Sequence, residues 1–380
     1  MKIFIAGDVV PHHRTMPLFQ QKKTEELFDG ILPFIRDADI SIVNLEAPII
    51  TGALSPIKKH GPALHTTMEA LETLIASGFN TVALANNHFR DQGQSGVDAT
   101  IHAANALGAS YVGGGRTLEE ARRICYQKCG GIAVAIINVC ENEFSIATEE
   151  YGGSNPLDSI DTFRDIQEAK AQSDFVLLVL HGGVEHYPLP TPRMKKLFRF
   201  FADAGADAIV NHHQHCFSGY EIYRGTLIFY GLGNFCFDWE GRGEEGLWNQ
   251  GYAITFDVHG SKSEGSHAEF VLHPYIQCAE KVGVDLRPKN YYDAMLQQLN
   301  QTIADDRLLQ LAFEKYAREV SRRFLYEISP FTNRVISSLY WRNAIKSLYP
   351  KSKLHVLKNL HWCESHDEVL KEVLRQLTID

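Results

Sequence analysis

A chain of 380 residues, 44% apolar and 22% charged, has the composition of an ordinary soluble globular protein and room for one large domain plus an extension. Its formal charge of −9 excludes nucleic acid as the default partner, because phosphate binding needs a basic footprint. Seven cysteines without a C-x-x-C pair predict reduced thiols in a cytoplasmic setting, with Cys125, Cys129, Cys140 and Cys278 as small buried hydrophobes.

Taken in order, the elements alternate. A short apolar run at 3–6 predicts a first strand ending at Gly7-Asp8, and 24–36 predicts a helix. The run 40–43 ends in Asn44-Leu45-Glu46; a helix over 69–77 stops at Gly78; the run 81–85 ends in Asn86-Asn87-His88. A helix over 95–107, another over 158–173, a strand over 175–180 ending in His181-Gly182-Gly183, and a helix over 192–204 follow. The run 208–210 then ends in Asn211-His212-His213-Gln214-His215. Strands over 226–230, 252–258 and 268–275 have no helices between them, which predicts an antiparallel portion closing the sheet. From about 285 only helices are expected, over 290–303, 305–328, 332–348 and 365–377, and basic residues outnumber acidic ones. The expected organisation is an α/β domain over 1–280 and a helical extension over 285–380. The extension caps the sheet domain or, through Phe324, Tyr326, Phe331, Tyr340 and Trp341 among Arg322, Arg323, Arg334 and Arg342, meets a membrane surface or a partner protein. No secretory signal follows Met1 and no apolar run nears the ~20 residues that span a bilayer, so the expected location is cytoplasmic, at most peripheral to the membrane.

Five strands thus end in a side chain able to bind a metal, and strand ends of open α/β sheets are where ligand sites gather. Asp8 and Glu46 can supply a terminal and a bridging carboxylate, since two cations ~3.5–4 Å apart need an anion between them. Asn87 offers a neutral oxygen, while His88 is free to donate a proton if Asp91 orients its ring. His181 ends the most apolar strand; Glu185 and His186 follow close behind, in reach of ligand side chains or substrate. In an extended segment alternate residues face one way, so His213 and His215 are expected to share the site and His212 to point away. Asn44 and Asn234 are expected beside these groups, and the long polar loops 51–64, 141–156 and 239–250 around them.

The order Gly7-Asp8, Asn44-Leu45-Glu46, Asn86-Asn87-His88-x-x-Asp91-x-Gly93, His181-x-Gly183-x-Glu185, His212-His213-x-His215 and Gly231-x-Gly233-Asn234-Phe235 resembles the CapA family. That family is associated with capsule and poly-gamma-glutamate synthesis, within the calcineurin-like metallophosphoesterase superfamily. The resemblance covers about 1–275. It implies a four-layer α/β/β/α sandwich holding two divalent ions, Mn, Fe or Zn. Asp8 and His215 would lie on one ion, Asn87, His181 and His213 on the other, with Glu46 bridging and His88 donating a proton to the leaving group. Two departures stand out. The superfamily's second ligand, a His two places after the Asp, is here Val10, with His12 and His13 out of step; and the bridge is Glu rather than Asp. The expected activity is a metal-dependent hydrolase, phosphoesterase-like, acting on a small molecule or a polyanionic polymer in extracellular polymer synthesis. A metal-dependent isomerase or epimerase and a non-catalytic accessory protein of a polymer synthase are the alternatives.

Overall fold

In the computed structural model, residues 1–242, 246–261, 266–329 and 333–362 are described. The strands are β1 (Lys2–Val10), β2 (Ile40–Leu45), β3 (Thr81–Ala83), β4 (Ser110–Val112), β5 (Gly114–Gly115), β6 (Cys125–Cys129), β7 (Ile132–Cys140) and β8 (Gly153–Ser154). They continue with β9 (Phe175–His181), β10 (Ala208–His212), β11 (Tyr220–Tyr223), β12 (Thr226–Phe229), β13 (Asn234–Phe237), β14 (Gln250–His259), β15 (His267–Gln277) and β16 (Val284–Leu286). One sheet has the order β16-β15-β14-β1-β2-β3-β4, with β13 also paired to β1; the other runs β11-β12-β10-β9-β7-β6. β5 and β8 form a separate pair.

Period-two alternation builds the layers. In β1, Ile3 and Ile5 enter one buried cluster and Phe4 and Ala6 another; in β9, Phe175, Leu177 and Val179 separate in the same way from Val176, Leu178 and Leu180. The shared cluster lies between the sheets, joining Ile3, Ile5 and Ile42 to Leu177, Val179 and Val210. On its far face the first sheet packs on the helices Met68–Ser77 and Gly93–Ala106, and the second on Ser159–Gln172 and Pro192–Ala204. The result is the four-layer α/β/β/α sandwich, with helices ended by caps of the expected kind: Thr191 before Pro192, Asp158 before Ser159, and Gly78 at φ 113°.

Several elements differ from expectation. Residues 24–36 form two helices, Thr24–Phe28 and Leu32–Asp37, separated by a 3₁₀ turn at Asp29–Ile31, because Gly30 weakens the helix and Pro33 removes a backbone donor. β4, β6 and β7 are strands where none was predicted. The strands after 225 divide: β12 joins the second sheet in parallel with β10, while β14, β15 and β16 are the antiparallel portion of the first. The first compact unit runs to Gln310, past the 280–285 boundary expected, and takes in the helix Asp293–Ala304, whose Leu296 lies between the sheets and whose Asn300 Oδ1 accepts the Tyr220 N–H at 2.7 Å. The second unit begins at Leu311. Within it, the helix expected over 332–348 is only Arg334–Trp341, ending before Asn343 at φ 62°, and a further helix, Lys351–Trp362, starts after Pro350. Phe331 and the helix expected over 365–377 lie outside the described residues. The six described cysteines are free, and among the described residues no helix is long and apolar enough to cross a membrane.

Candidate metal centre

The ends of β1, β2, β9 and β10 meet between the sheets. Register sets Asp8 beside Asn44 across β1–β2, and His212 beside His181 across β10–β9. The β1–β2 register shifts between Ile5 and Asp8, a bulge that re-aims the Asp8 carboxylate. Gly7 is required there: a Cβ would meet the Gly233 carbonyl oxygen at 1.9 Å. Gly233, at φ 77°, turns the chain so that Asn234 Oδ1 lies 2.9 Å from His215 Nδ1.

Two groups of side chains place their ligand atoms within 4.8 Å of one another and could each hold an ion: Glu46, His181 and His213; and Asp8, Glu46 and His215. Glu46 belongs to both. Around His181 Nε2 converge Asn87 Oδ1 at 3.1 Å, His213 Nδ1 at 3.1 Å and Glu46 Oε1 at 3.4 Å. Asp8 Oδ2 is 3.8 Å from His215 Nδ1, and Asp8 Oδ1 accepts the Asn44 amide at 2.7 Å. The same Asn44 nitrogen is 3.2 Å from His181 Nδ1, and Asn86 Nδ2 donates to Asn44 Oδ1. Asn44 therefore contacts both Asp8 and His181 through one amide nitrogen.

The electrostatics favour a cation. Both Glu46 oxygens are buried with no hydrogen-bond partner among the described residues, a costly state for a carboxylate. Burial, and then the neighbouring Asp8, push its carboxyl well above the usual range. Burial also pushes His181 well down and His215 down to about 4, so both rings present lone pairs. In spite of burial, Asp8 is held far below its usual range, first by its bond to His212. Oxygen and imidazole donors around an unsatisfied carboxylate fit divalent transition ions.

His88 and Asp91 form the expected pair, Nδ1 to Oδ2 at 2.6 Å. Glu185 stands at the rim, where, despite partial desolvation, His215, His213, His186 and His88 hold its carboxyl below the usual range. His186 faces His215 at 6.1 Å between ring centroids, and Trp248 lies 4.9 Å from His215 on the same wall.

One expectation is corrected. His212 does not point away: its Nδ1 lies 3.1 Å from Asp8 Oδ1. The segment is extended only through His212; His213 at φ 85° and His215 at φ 53° lie in the left-handed region, so strict alternation fails. Such backbone costs an L residue ~1–3 kcal/mol and clusters at functional sites. His12 and His13 do not replace the ligand missing at Val10. His12 stacks on Trp239 and His13 Nδ1 is 3.0 Å from Asp238, while Val10 sits in an apolar cluster with Phe237 and Trp248.

Two residues escaped the sequence reading. Lys59, from the 51–64 loop, pairs with Asp91 and has its ammonium 3.2 Å from His88 Nδ1. Glu143, from the 141–156 loop, takes the Asn87 amide at 3.1 Å and lies 3.5 Å from His213 Nε2. Loop length was the only signal for either.

Comparison with known proteins agrees with the motif order. The profile of the family described as bacterial capsule synthesis protein PGA_cap matches residues 2–239. The capsule biosynthesis protein CapA of Bacillus anthracis is 30% identical over 242 residues, covering 62% of this chain and 59% of that protein. The PGA biosynthesis protein CapA of Bacillus subtilis (strain 168) is 32% identical over 235 residues, 61% of this chain and 62% of the relative. The chain thus spans about 60% of the length of these relatives. Among solved structures, the calcineurin-like phosphoesterase YfkN of Bacillus subtilis superposes with a TM-score of 0.41 at 13% identity, over 82% of this chain and 98% of that one.

Proposed function

This chain belongs to the bacterial capsule synthesis protein PGA_cap family, and from that footing we propose that it is a divalent-metal-dependent hydrolase of phosphoesterase type acting in capsule or poly-gamma-glutamate synthesis. The observation that carries the reading is Glu46, a buried carboxylate with no hydrogen-bond donor among the described residues, shared by two convergent ligand groups. Asp8 and His215 would hold one ion, Asn87, His181 and His213 the other, and Glu46 both. Bound divalent ions would supply Lewis acidity, polarising the scissile group and offsetting its developing negative charge. The chain's own residues supply the rest. Asp91 fixes the His88 ring through Nδ1, which leaves Nε2 to carry a proton toward the leaving-group oxygen. His186, Trp248 and Glu185 line the approach to His215 and would orient the substrate.

Val10 favours a second reading: with no ligand at that place the Asp8 side offers fewer donors, and a protein holding a single ion would serve a polymer synthase as an accessory without turnover. One experiment separates the two. The metal-free protein is reconstituted with Mn²⁺, Fe²⁺ or Zn²⁺ and assayed on aryl phosphate mono- and diesters and on polyglutamate. Metal-restored hydrolysis, with at least one equivalent of metal lost in His213→Ala, supports the hydrolase. Binding without turnover on any of these supports the accessory role, and full metal occupancy in His213→Ala sinks the ligand assignment.

A further inference from the structure

Asn87 can present oxygen or nitrogen, and His213 can present Nδ1 or Nε2. Metal binding requires the Asn oxygen and a deprotonated imidazole nitrogen. In the structure Asn87 Oδ1 and His213 Nδ1 are the atoms that converge on His181 Nε2, each at 3.1 Å. Their opposite ends, Asn87 Nδ2 and His213 Nε2, both face one carboxylate, Glu143, at 3.1 and 3.5 Å from its two oxygens. The Glu143 side chain is 34% exposed and stands on the outer side of both.

We propose that Glu143 is the positioning residue of this half of the centre: one carboxylate sets the Asn87 amide oxygen-inward and keeps the His213 proton on Nε2, so that Nδ1 is available. The chemistry decides the direction. A carboxylate only accepts, so it selects the amide nitrogen of Asn87 and the N–H of His213 and turns the lone pairs of both toward Glu46 and His181. Ligand histidines are commonly held through their second nitrogen in this way, and loss of the outer partner costs ten- to a hundredfold in metal affinity. Glu143 does not serve the other group, Asp8, Glu46 and His215, whose His215 is oriented by Asn234 Oδ1 instead. The effect should therefore fall on one site of two.

The inference rests on the metal reading for its purpose, and the test distinguishes the two. Mn²⁺ binding to the full chain is measured by electron paramagnetic resonance and calorimetry for wild type, Glu143→Ala and Glu143→Gln, with circular dichroism confirming the fold. Glu143→Ala should weaken one class of site ten- to a hundredfold and leave the other within twofold. Glu143→Gln should fall between, because Gln offers one acceptor where two donors need partners. In metal-free protein with ¹⁵N-labelled histidine, two-bond spectra should show His213 protonated at Nε2 in wild type and as a tautomer mixture in Glu143→Ala. Wild type that binds no Mn²⁺ would sink the metal reading, yet the tautomer comparison would still judge Glu143. An unchanged His213 tautomer in Glu143→Ala overturns the proposal, as does unchanged Mn²⁺ affinity.

Discussion

Replacing Lys59 by Met should destabilise the protein by about 3 kcal/mol. The Lys59 side chain is 2% exposed and the Asp91 side chain fully buried. Removing one member of a buried pair typically costs ~3–5 kcal/mol, because the other is left charged and unpaired. Here the low end applies, since Asp91 Oδ2 keeps the His88 ring at 2.6 Å and the Leu64 N–H at 2.7 Å. Met retains the buried stem, so the loss reports the charge and not a cavity. The assay is denaturant unfolding at fixed metal content, with Asp91→Asn and the double variant completing a cycle. The coupling energy should be about 1–3 kcal/mol, with the double variant less destabilised than the sum of the singles. A loss below about 1 kcal/mol in Lys59→Met, or simple additivity, would refute the view that this lysine clamps the 51–64 loop onto Asp91.

His88→Ala should keep its metal content and lower turnover by about a hundredfold or more on poor leaving groups, less on good ones, with Asp91→Asn milder; metal lost in His88→Ala would make His88 a ligand instead. Asp238 accepts Arg14 Nε at 2.9 Å and Nη2 at 2.8 Å, and against the effect of burial these bonds hold its carboxyl below the usual range. A depressed native pKa contributes stability above the unfolded value, about 4, that is lost as pH falls through the native one. Asp238→Asn should therefore be less stable than wild type at pH 7, the gap closing in acid; a gap independent of pH would contradict the assignment. Residues 311–362 carry ten Lys and Arg against three Glu, with Phe324 54%, Val335 66% and Trp341 49% exposed. The full chain should sediment with anionic lipid vesicles at low salt and be released at high salt, and binding equal on neutral vesicles would exclude the electrostatic contact.

Much of the fold was legible because it rests on local patterns. Short, wholly apolar runs at 3–6 and 175–180 marked strands that are buried on both faces, and a Gly or Pro marked most helix ends. The exceptions were also local, but of opposite sign. The apolar positions of 24–36 suit one helix, yet Gly30 and Pro33 interrupt its hydrogen bonds. The candidate site residues were legible at strand ends, because strand pairing brings Asp8 beside Asn44 and His181 beside His212.

Loop residues were not legible in the same way. Nothing in the order of residues 51–64 says that Lys59, rather than Lys58, turns inward to Asp91; that depends on the fold of a loop pinned by the Ile57 N–H to the Asp91 carbonyl at 2.9 Å and by Gln92 Nε2 to the Leu64 carbonyl at 3.1 Å. The histidine cluster shows the limit most clearly. Alternation paired His213 with His215 and sent His212 away, assuming an extended chain. The strand instead delivers His212 directly against Asp8, and two left-handed residues then bring both later rings back to the same centre. A pairing inferred from a β period was thus reached through backbone that no β period describes. The strain of holding His213 and His215 there is further reason to read this turn as built for ligands rather than for packing.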